Sequence, residues 1–428
     1  MEQPQLSIDI DRLMARIEAL AALGSLDATE GTSGPDQKLG CCRLALTDED
    51  KAGRDLVVTW MKDLGLNVAT DGIGNVVATM PHSAGTWEPG TAPVMTGSHI
   101  DTVRTGGRYD GNLGVLAGLE VIETVQSAGI QLDRPLAVAF FTNEEGARFA
   151  PDMMGSLVYA GGMPLETALT IQGIDGAIVG EELERIGYAG AGPLPGQAPH
   201  AFIELHIEQG PVLESEGLQI GAVTGVQGIS WNELTITGQS NHAGTTPMSM
   251  RHDAGYAAAR VATFVRELAL EFGDPQVGTV GAINLHPNLI NVVAATATMT
   301  VDIRNTDEAT LKLAEAHLGI FLEQLAHSEG VTIEVRSLAR FEPVAFDPDV
   351  IDLVASAAQS QGLSVRRMPS GAGHDAQMLA RLCPTAMIFT PSVGGISHNP
   401  AEHTDVDDLS AGANVLLSVL VQLASSTP

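Results

Sequence analysis

The sequence predicts an α/β protein: a mixed-sheet α/β domain with helices on both faces, interrupted by an inserted α+β (ferredoxin-like) domain. Three observations carry that prediction. Continuous apolar runs such as Leu136 to Phe141 have the form of strands covered on both sides. Helical stretches separate those runs. In the middle of the chain the order changes to β-α-β-β-α-β, after which the first pattern resumes. With 428 residues the chain exceeds what one core usually holds, so at least two domains are expected. The interruption makes the larger one discontinuous, with residues 1–222 and 339–428 on either side of an insert at 223–338.

The first helix is expected over Asp9 to Leu23, with Leu13, Ile17 and Leu20 on one face. A second follows Thr47, a suitable N-cap. Asp48, Glu49 and Asp50 suit its first turn, and it stops at Leu64 before Gly65. Val94 to Thr96 is a strand leading into His99, and Gly114 to Ser127 is helical. Leu136–Phe141 and Phe202–Ile207 are buried strands. In the insert, Gly228–Thr237, Val277–Leu285, the alternating Ala294–Arg304 and Val331–Val335 read as strands. Asp253–Phe272 and Asp307–His327 read as its helices. After Phe346 come a helix over Asp347–Gln361, a strand over Thr385–Phe389 and a closing helix over Asp405–Ala424.

Lys plus Arg is 22 against 52 for Asp plus Glu, a formal charge of −30. Phosphate binding rests on basic side chains, so neither nucleic acid nor an anionic membrane is an expected partner. The start of the chain lacks the basic and apolar regions of a secretory signal, and no uncharged apolar run reaches membrane-spanning length. Cys41, Cys42 and Cys383 form neither a disulfide framework nor a zinc-type spacing. A cytoplasmic protein is expected, with any metal held by nitrogen and oxygen.

Five metal-type side chains, His99, Asp110, Glu145, His206 and His398, fall at strand ends or in the loops that follow. In open α/β sheets that is where sites gather. Asp101 lies two residues after His99 on extended backbone, so it can orient the imidazole. Asp110 sits in the turn Tyr109-Asp110-Gly111 and has two oxygens with which to bridge two cations. Glu144 and Glu145 are adjacent, so their side chains diverge. One can bind metal while the other faces the reacting water as general base. Each motif alone is weak, because a lone His or a Glu pair is common on ordinary surfaces. Their joint occurrence points to metal-assisted hydrolysis of an amide-like bond.

The motifs Thr96-Gly97-Ser98-His99-Ile100-Asp101-Thr102-Val103, Asn143-Glu144-Glu145-Gly146-Ala147-Arg148-Phe149, His206-Ile207-Glu208-Gln209-Gly210-Pro211, Asn241-His242-Ala243-Gly244 and Ser397-His398-Asn399-Pro400-Ala401-Glu402-His403 occur in this order. Together with Ser370-Gly371-Ala372-Gly373-His374-Asp375 they resemble the hydantoinase/carbamoylase amidases, a branch of the M20-type dinuclear zinc hydrolases. The likeness runs over nearly the whole chain. It implies an amidohydrolase for a linear C–N bond of an N-carbamoyl (ureido) L-amino acid or a close analogue such as allantoate, with water activated by metal. The alternative on the same scaffold is an N-acyl amino acid deacylase or an aminopeptidase.

By that resemblance His99, Asp110 and His206 hold one divalent ion and Asp110, Glu145 and His398 a second. Zinc is the expected metal, and manganese, cobalt or nickel also suit the donors. Glu144 is then the general acid/base, Asp101 its support, and His242 a stabiliser of the oxyanion. Gln209 contacts the ureido or amide end, while Asn291 and Arg304 grip the substrate carboxylate. Ser370 and Gly371 offer further contacts from their turn. The insert is expected to be a lid and to make a homodimer. One departure stands out: Val292-Val293-Ala294-Ala295 follows Asn291, where the family commonly has Val-Ile-Pro-Gly.

Ordinary roles compete at some positions. Arg304 could make a structural ion pair, and His374 and Asp375 could merely cap the helix starting near Ala376. Glu402 and His403 either support His398 or are plain loop polarity.

Overall fold

The computed structural model describes residues 6–26, 40–84 and 87–425. The chain divides into two compact units, Met1–Thr224 with Phe346–Pro428, and Gly225–Ala345.

The sheet of the first unit runs in the order Asn67–Thr70, Val76–Thr79, Leu136–Phe141, Val94–His99, Ala201–Ile207, Thr385–Thr390, Ile220–Val226. Its four middle strands are parallel, so their carboxyl ends share one edge. The flanking strands Val76–Thr79 and Ile220–Val226 pair antiparallel to them. Every residue of the four middle strands is buried. That explains why their sequences show apolar runs without alternation. Helix Asn112–Ser127 packs on three of these strands. Val406–Ser425 has the length and composition of a bilayer span, yet it opens with Asp407 and Asp408 and packs on Thr385–Thr390 and Ala201–Ile207. It is a core helix. Asp9 and Thr47 cap the first two helices through their side chains, and Leu13, Ile17 and Leu20 are buried.

The second unit is a five-stranded sheet in the order Thr332–Phe341, Gly228–Thr237, Thr296–Asn305, Val277–Thr279, with Ile283–His286 also on Thr296–Asn305. All its pairings are antiparallel. Helices Ala254–Phe272 and Glu308–Glu329 pack on the sheet. Ala297, Met299, Val301 and Ile303 alternate into the core they share. Thr298, Thr300, Asp302 and Arg304 take the other face and stay half-buried.

The structure departs from expectation in three places. The strand expected over Val277–Leu285 is two, Val277–Thr279 and Ile283–His286. Between them Ala282 bonds Thr300 twice, N–H to Oγ1 at 3.1 Å and O from the Thr300 N–H at 3.1 Å, which breaks the ladder at Gly281. The last strand continues to Phe341 through a register shift between Ser337 and Ala339. Ile220–Val226, Val365–Ser370 and the Asn67–Thr70/Val76–Thr79 pair also add strands. Ile220–Val226 has two glycines, Val365–Ser370 has two arginines and a proline, and the paired strands are four residues each, so they carry little β signal.

Candidate active site

The carboxyl ends of the parallel strands deliver the side chains that matter. His99 ends one strand, His206 lies one residue short of the end of the next, and Glu144 and Glu145 follow the strand Leu136–Phe141. Asp110 sits in the turn that starts helix Asn112–Ser127. Gly111 beside it has φ 65°, and a side-chain carbon there would lie 2.4 Å from the His99 ring. Only glycine fits that close approach.

Asp110 is the centre. Its Oδ1 lies 3.2 Å from His206 Nε2 and 3.5 Å from His99 Nε2. Its Oδ2 lies 3.4 Å from His398 Nε2, which is also 3.3 Å from Glu145 Oε2. One carboxylate thus faces two donor groups, His99-Asp110-His206 and Asp110-Glu145-His398. Within each group the donor atoms lie within 4.8 Å of one another. Glu144 Oε2 is 3.3 Å from His99 Nε2.

The tautomers are set by the main chain. His99 Nδ1 bonds the Asp101 carbonyl at 2.9 Å, and His206 Nδ1 bonds the Ile207 carbonyl at 2.8 Å. A carbonyl only accepts, so each Nδ1 carries a proton, and in the neutral ring each Nε2 turns its lone pair to Asp110 Oδ1. Lone pair against lone pair at these distances is repulsive unless a proton or cation lies between. The Asp101 contact differs from the expected one. Its backbone oxygen, not its carboxylate, orients His99, and the carboxylate lies 3.9 Å from Nδ1. That carboxylate accepts instead from the N–H groups of Glu144 at 3.2 Å and Glu145 at 3.3 Å, which fixes the turn carrying the two acids.

Electrostatics asks for positive charge here. Burial pushes Glu145 up to about 8, and the Asp110 charge adds to it. Glu144 is raised well above the ordinary carboxylate range, chiefly by burial, against the pull of His99. Burial also opposes ionisation of Asp110, but hydrogen bonds from His206, His398 and His99 hold it well below its usual value. The bond to Asp110 lifts His398 to about 9. A bound divalent cation supplies the missing charge directly. The mixed nitrogen and oxygen donors, anchored tautomers and buried acids fit such an ion.

A third cluster, Glu204, His206 and His374, is also close enough to hold a metal. Its Glu204 is already engaged, accepting from Ser98 Oγ at 2.5 Å and from the Ala376 N–H at 2.8 Å. The latter bond caps helix Asp375–Leu379, a task expected of His374 or Asp375. Neither does it: His374 makes no side-chain cap bond, and neither Asp375 carboxylate oxygen accepts a cap amide. His374 packs edge-on against His206, ring centroids 4.6 Å apart, and its Nε2 lies 2.9 Å from Ser370 Oγ.

Gln209 joins the centre, donating from Nε2 to Asp110 Oδ2 at 2.9 Å while its buried Oε1 has no partner among the described residues. Asn143, Gln209 and His398 hold φ of 56°, 58° and 53°, strained values that cluster at the site. Ser370 turns its hydroxyl inward, to the Ala372 carbonyl and His374. It also accepts the Ala372 N–H, so that amide is not open, and Gly371 is exposed. Ser397, which the sequence reading passed over, lies 3.1 Å from Asp110 Oδ2. Its place beside His398 was the available signal.

His242, Asn291 and Arg304 belong to the second unit. His242 is exposed and bridges Val292, and the Ala243 N–H donates to the Asn291 carbonyl at 3.0 Å. His242 Nδ1 accepts from the N–H groups of Gly244 at 3.0 Å and Thr245 at 3.3 Å, so its proton sits on Nε2. Arg304 forks onto Asp302, Nη2 to Oδ2 at 2.9 Å, and lies 5.6 Å from the Trp231 ring. The ion pair weighed from sequence is present.

A shared carboxylate between two histidine-carboxylate groups, with a further acid beside it, is the donor set of a metal-dependent hydrolase. The chain belongs to peptidase family M20/M25/M40, whose sequence profile matches residues 95–422. It is 41% identical to the N-carbamoyl-L-amino-acid amidohydrolase of Rhizobium meliloti, over 97% of each chain. It is 36% identical to the allantoate amidohydrolase of Escherichia coli K12, over 91% of this chain and 95% of that one. The crystal structure of a hydantoinase/carbamoylase family amidase from Burkholderia multivorans superposes with a TM-score of 0.93 at 44% identity, covering 99% of this chain and 100% of the other.

Proposed function

We propose that this protein hydrolyses the linear C–N bond of an N-carbamoyl L-amino acid or a close analogue such as allantoate, as a cytoplasmic homodimer holding two divalent cations per chain. The supporting observation is Asp110, whose two oxygens face separate His/carboxylate groups at 3.2–3.5 Å. His99, Asp110 and His206 would hold one cation and Asp110, Glu145 and His398 the other, with zinc best suited to the donors. Cations there supply charge stabilisation and lower the pKa of water towards ~7.

Glu144 takes the proton of the attacking water, and the water oxygen adds to the ureido carbonyl carbon. Glu144 then returns the proton to the leaving nitrogen as the C–N bond breaks. Asp101 holds Glu144 and Glu145 through their amides. Gln209 offers its unpartnered oxygen to the ureido N–H groups. His242 gives its Nε2–H to the developing oxyanion. Asn291 and Arg304 bind the substrate carboxylate, with Arg304 exchanging Asp302 for it, and Ser370 and Gly371 shape the turn beside it. The carbamoyl group ends as ammonia and carbon dioxide, leaving the free amino acid. The inserted unit serves as lid and dimer contact.

A substrate panel on zinc-reconstituted protein tests this. Ammonia together with a free amino acid is expected from ureido acids. Release of a carboxylic acid from N-acyl amino acids, with ureido acids untouched, contradicts it.

A further inference from the structure

We infer that Glu402 is a positioning residue that fixes the spacing between the Asp110 turn and the His398 loop. The inference rests on the proposed two-cation reading and adds to it a residue that touches neither cation nor substrate. Glu402 is 2% exposed, although it lies in a loop. Its Oε1 accepts the N–H groups of both Tyr109, at 3.0 Å, and Asp110, at 3.2 Å. Its Oε2 lies 3.1 Å from Ser397 Oγ. A single carboxylate thereby grips the backbone of the bridging aspartate with one oxygen and the neighbour of His398 with the other. A buried acid that places all three of its observed hydrogen bonds on two ligand-bearing loops is more than loop polarity.

Two further contacts favour this reading. A side-chain carbon on Gly107 would lie 2.1 Å from Glu402 Oε1, so the carboxylate is seated against bare backbone. Ser397 Oγ is 3.1 Å from Asp110 Oδ2 as well as from Glu402 Oε2, and a hydroxyl has one proton for two acceptors. A cation held by Asp110 would compete for Oδ2 and leave that proton to Glu402, which would tie the two loops together. The group Asp110-Glu145-His398 draws on both loops. The group His99-Asp110-His206 draws on only one of them. Loss of Glu402 therefore weakens the Asp110-Glu145-His398 group, taken as the site of the second equivalent, more.

The test is a zinc titration of the full chain against a chromophoric chelator, with melting curves of the metal-free proteins. Glu402→Ala is expected to weaken the second zinc equivalent about 10–100-fold and the first much less, the range seen for groups that orient metal ligands. Glu402→Asp keeps the charge but loses reach, and should behave like the alanine variant. Glu402→Gln keeps a carbonyl for both amides and should stay within about threefold of the parent. Aspartate and glutamine variants decide the matter if the alanine variant does not fold. Parental affinity for both equivalents in Glu402→Asp, or a Glu402→Gln defect as deep as that of Glu402→Asp, overturns the inference. His398→Ala is the control for the underlying reading. If it still binds two equivalents tightly, the two-cation reading itself fails. If it loses one while Glu402→Asp binds normally, only the role of Glu402 falls.

Discussion

The Asp110 centre and the open sheet face of residues 225–345 treat charge in opposite ways. At Asp110 the acids are buried and their charged neighbours are histidines whose Nδ1 protons point away into main-chain carbonyls. On the sheet face the charges are already paired and closer to water: Arg304 with Asp302, and the more exposed Arg336 with Glu233. The first arrangement is incomplete without added positive charge, and holds its geometry through the backbone. The second is complete, and can only trade one partner for another. Chemistry suits the first and recognition the second, because catalysis needs preorganised groups whereas binding needs exchangeable ones.

That contrast yields graded predictions. The deepest loss should come from Glu144→Gln, which removes the proposed base at the incomplete centre. kcat should fall about 10²–10⁴-fold with metal content unchanged. Stopped assays with parallel metal analysis check this, and full turnover in a metal-loaded variant would remove Glu144 from its role. Next is His242→Ala, which deletes the Nε2–H donor. A fall in kcat of about 10²–10³-fold is expected, the size of one lost oxyanion donor. Arg304→Lys should act mainly on binding, raising KM roughly 10–100-fold, since a lysine cannot make the two parallel bonds of an Arg fork. A change confined to kcat would move Arg304 from recognition to chemistry. Smallest in its effect on the centre is Met299→Ala, a fully buried core position of the second unit. It should cost about 2–5 kcal/mol of stability in chemical denaturation while metal stoichiometry stays at the parental value.

The two regions also differed in how far the sequence revealed them. His99, Asp110, Glu145, His206 and His398 stand out because their side-chain chemistry is written in short motifs at or after the ends of buried strands. What orients them does not stand out. His99 is held by the Asp101 main chain, and no side-chain pattern announces a carbonyl contact. Ser397 and Glu402 are ordinary residues until the loops come together around Asp110. The strands follow the same logic. Leu136–Phe141 is plain from its composition, whereas Ile220–Val226 has two glycines and gains its place from its neighbours. In the second unit, alternation in Thr296–Asn305 shows which residues share a face. It does not say that Arg304 forks onto Asp302, because both an ion pair and a substrate carboxylate suit an arginine equally.

The most direct test of the central claim is metal stoichiometry joined to turnover. Protein reconstituted with zinc should hold two equivalents per chain, lose hydrolysis on chelation and regain it when zinc returns. Asp110→Ala should disturb both equivalents together. Undiminished hydrolysis by metal-free protein, or two tightly held equivalents in Asp110→Ala, would contradict the account.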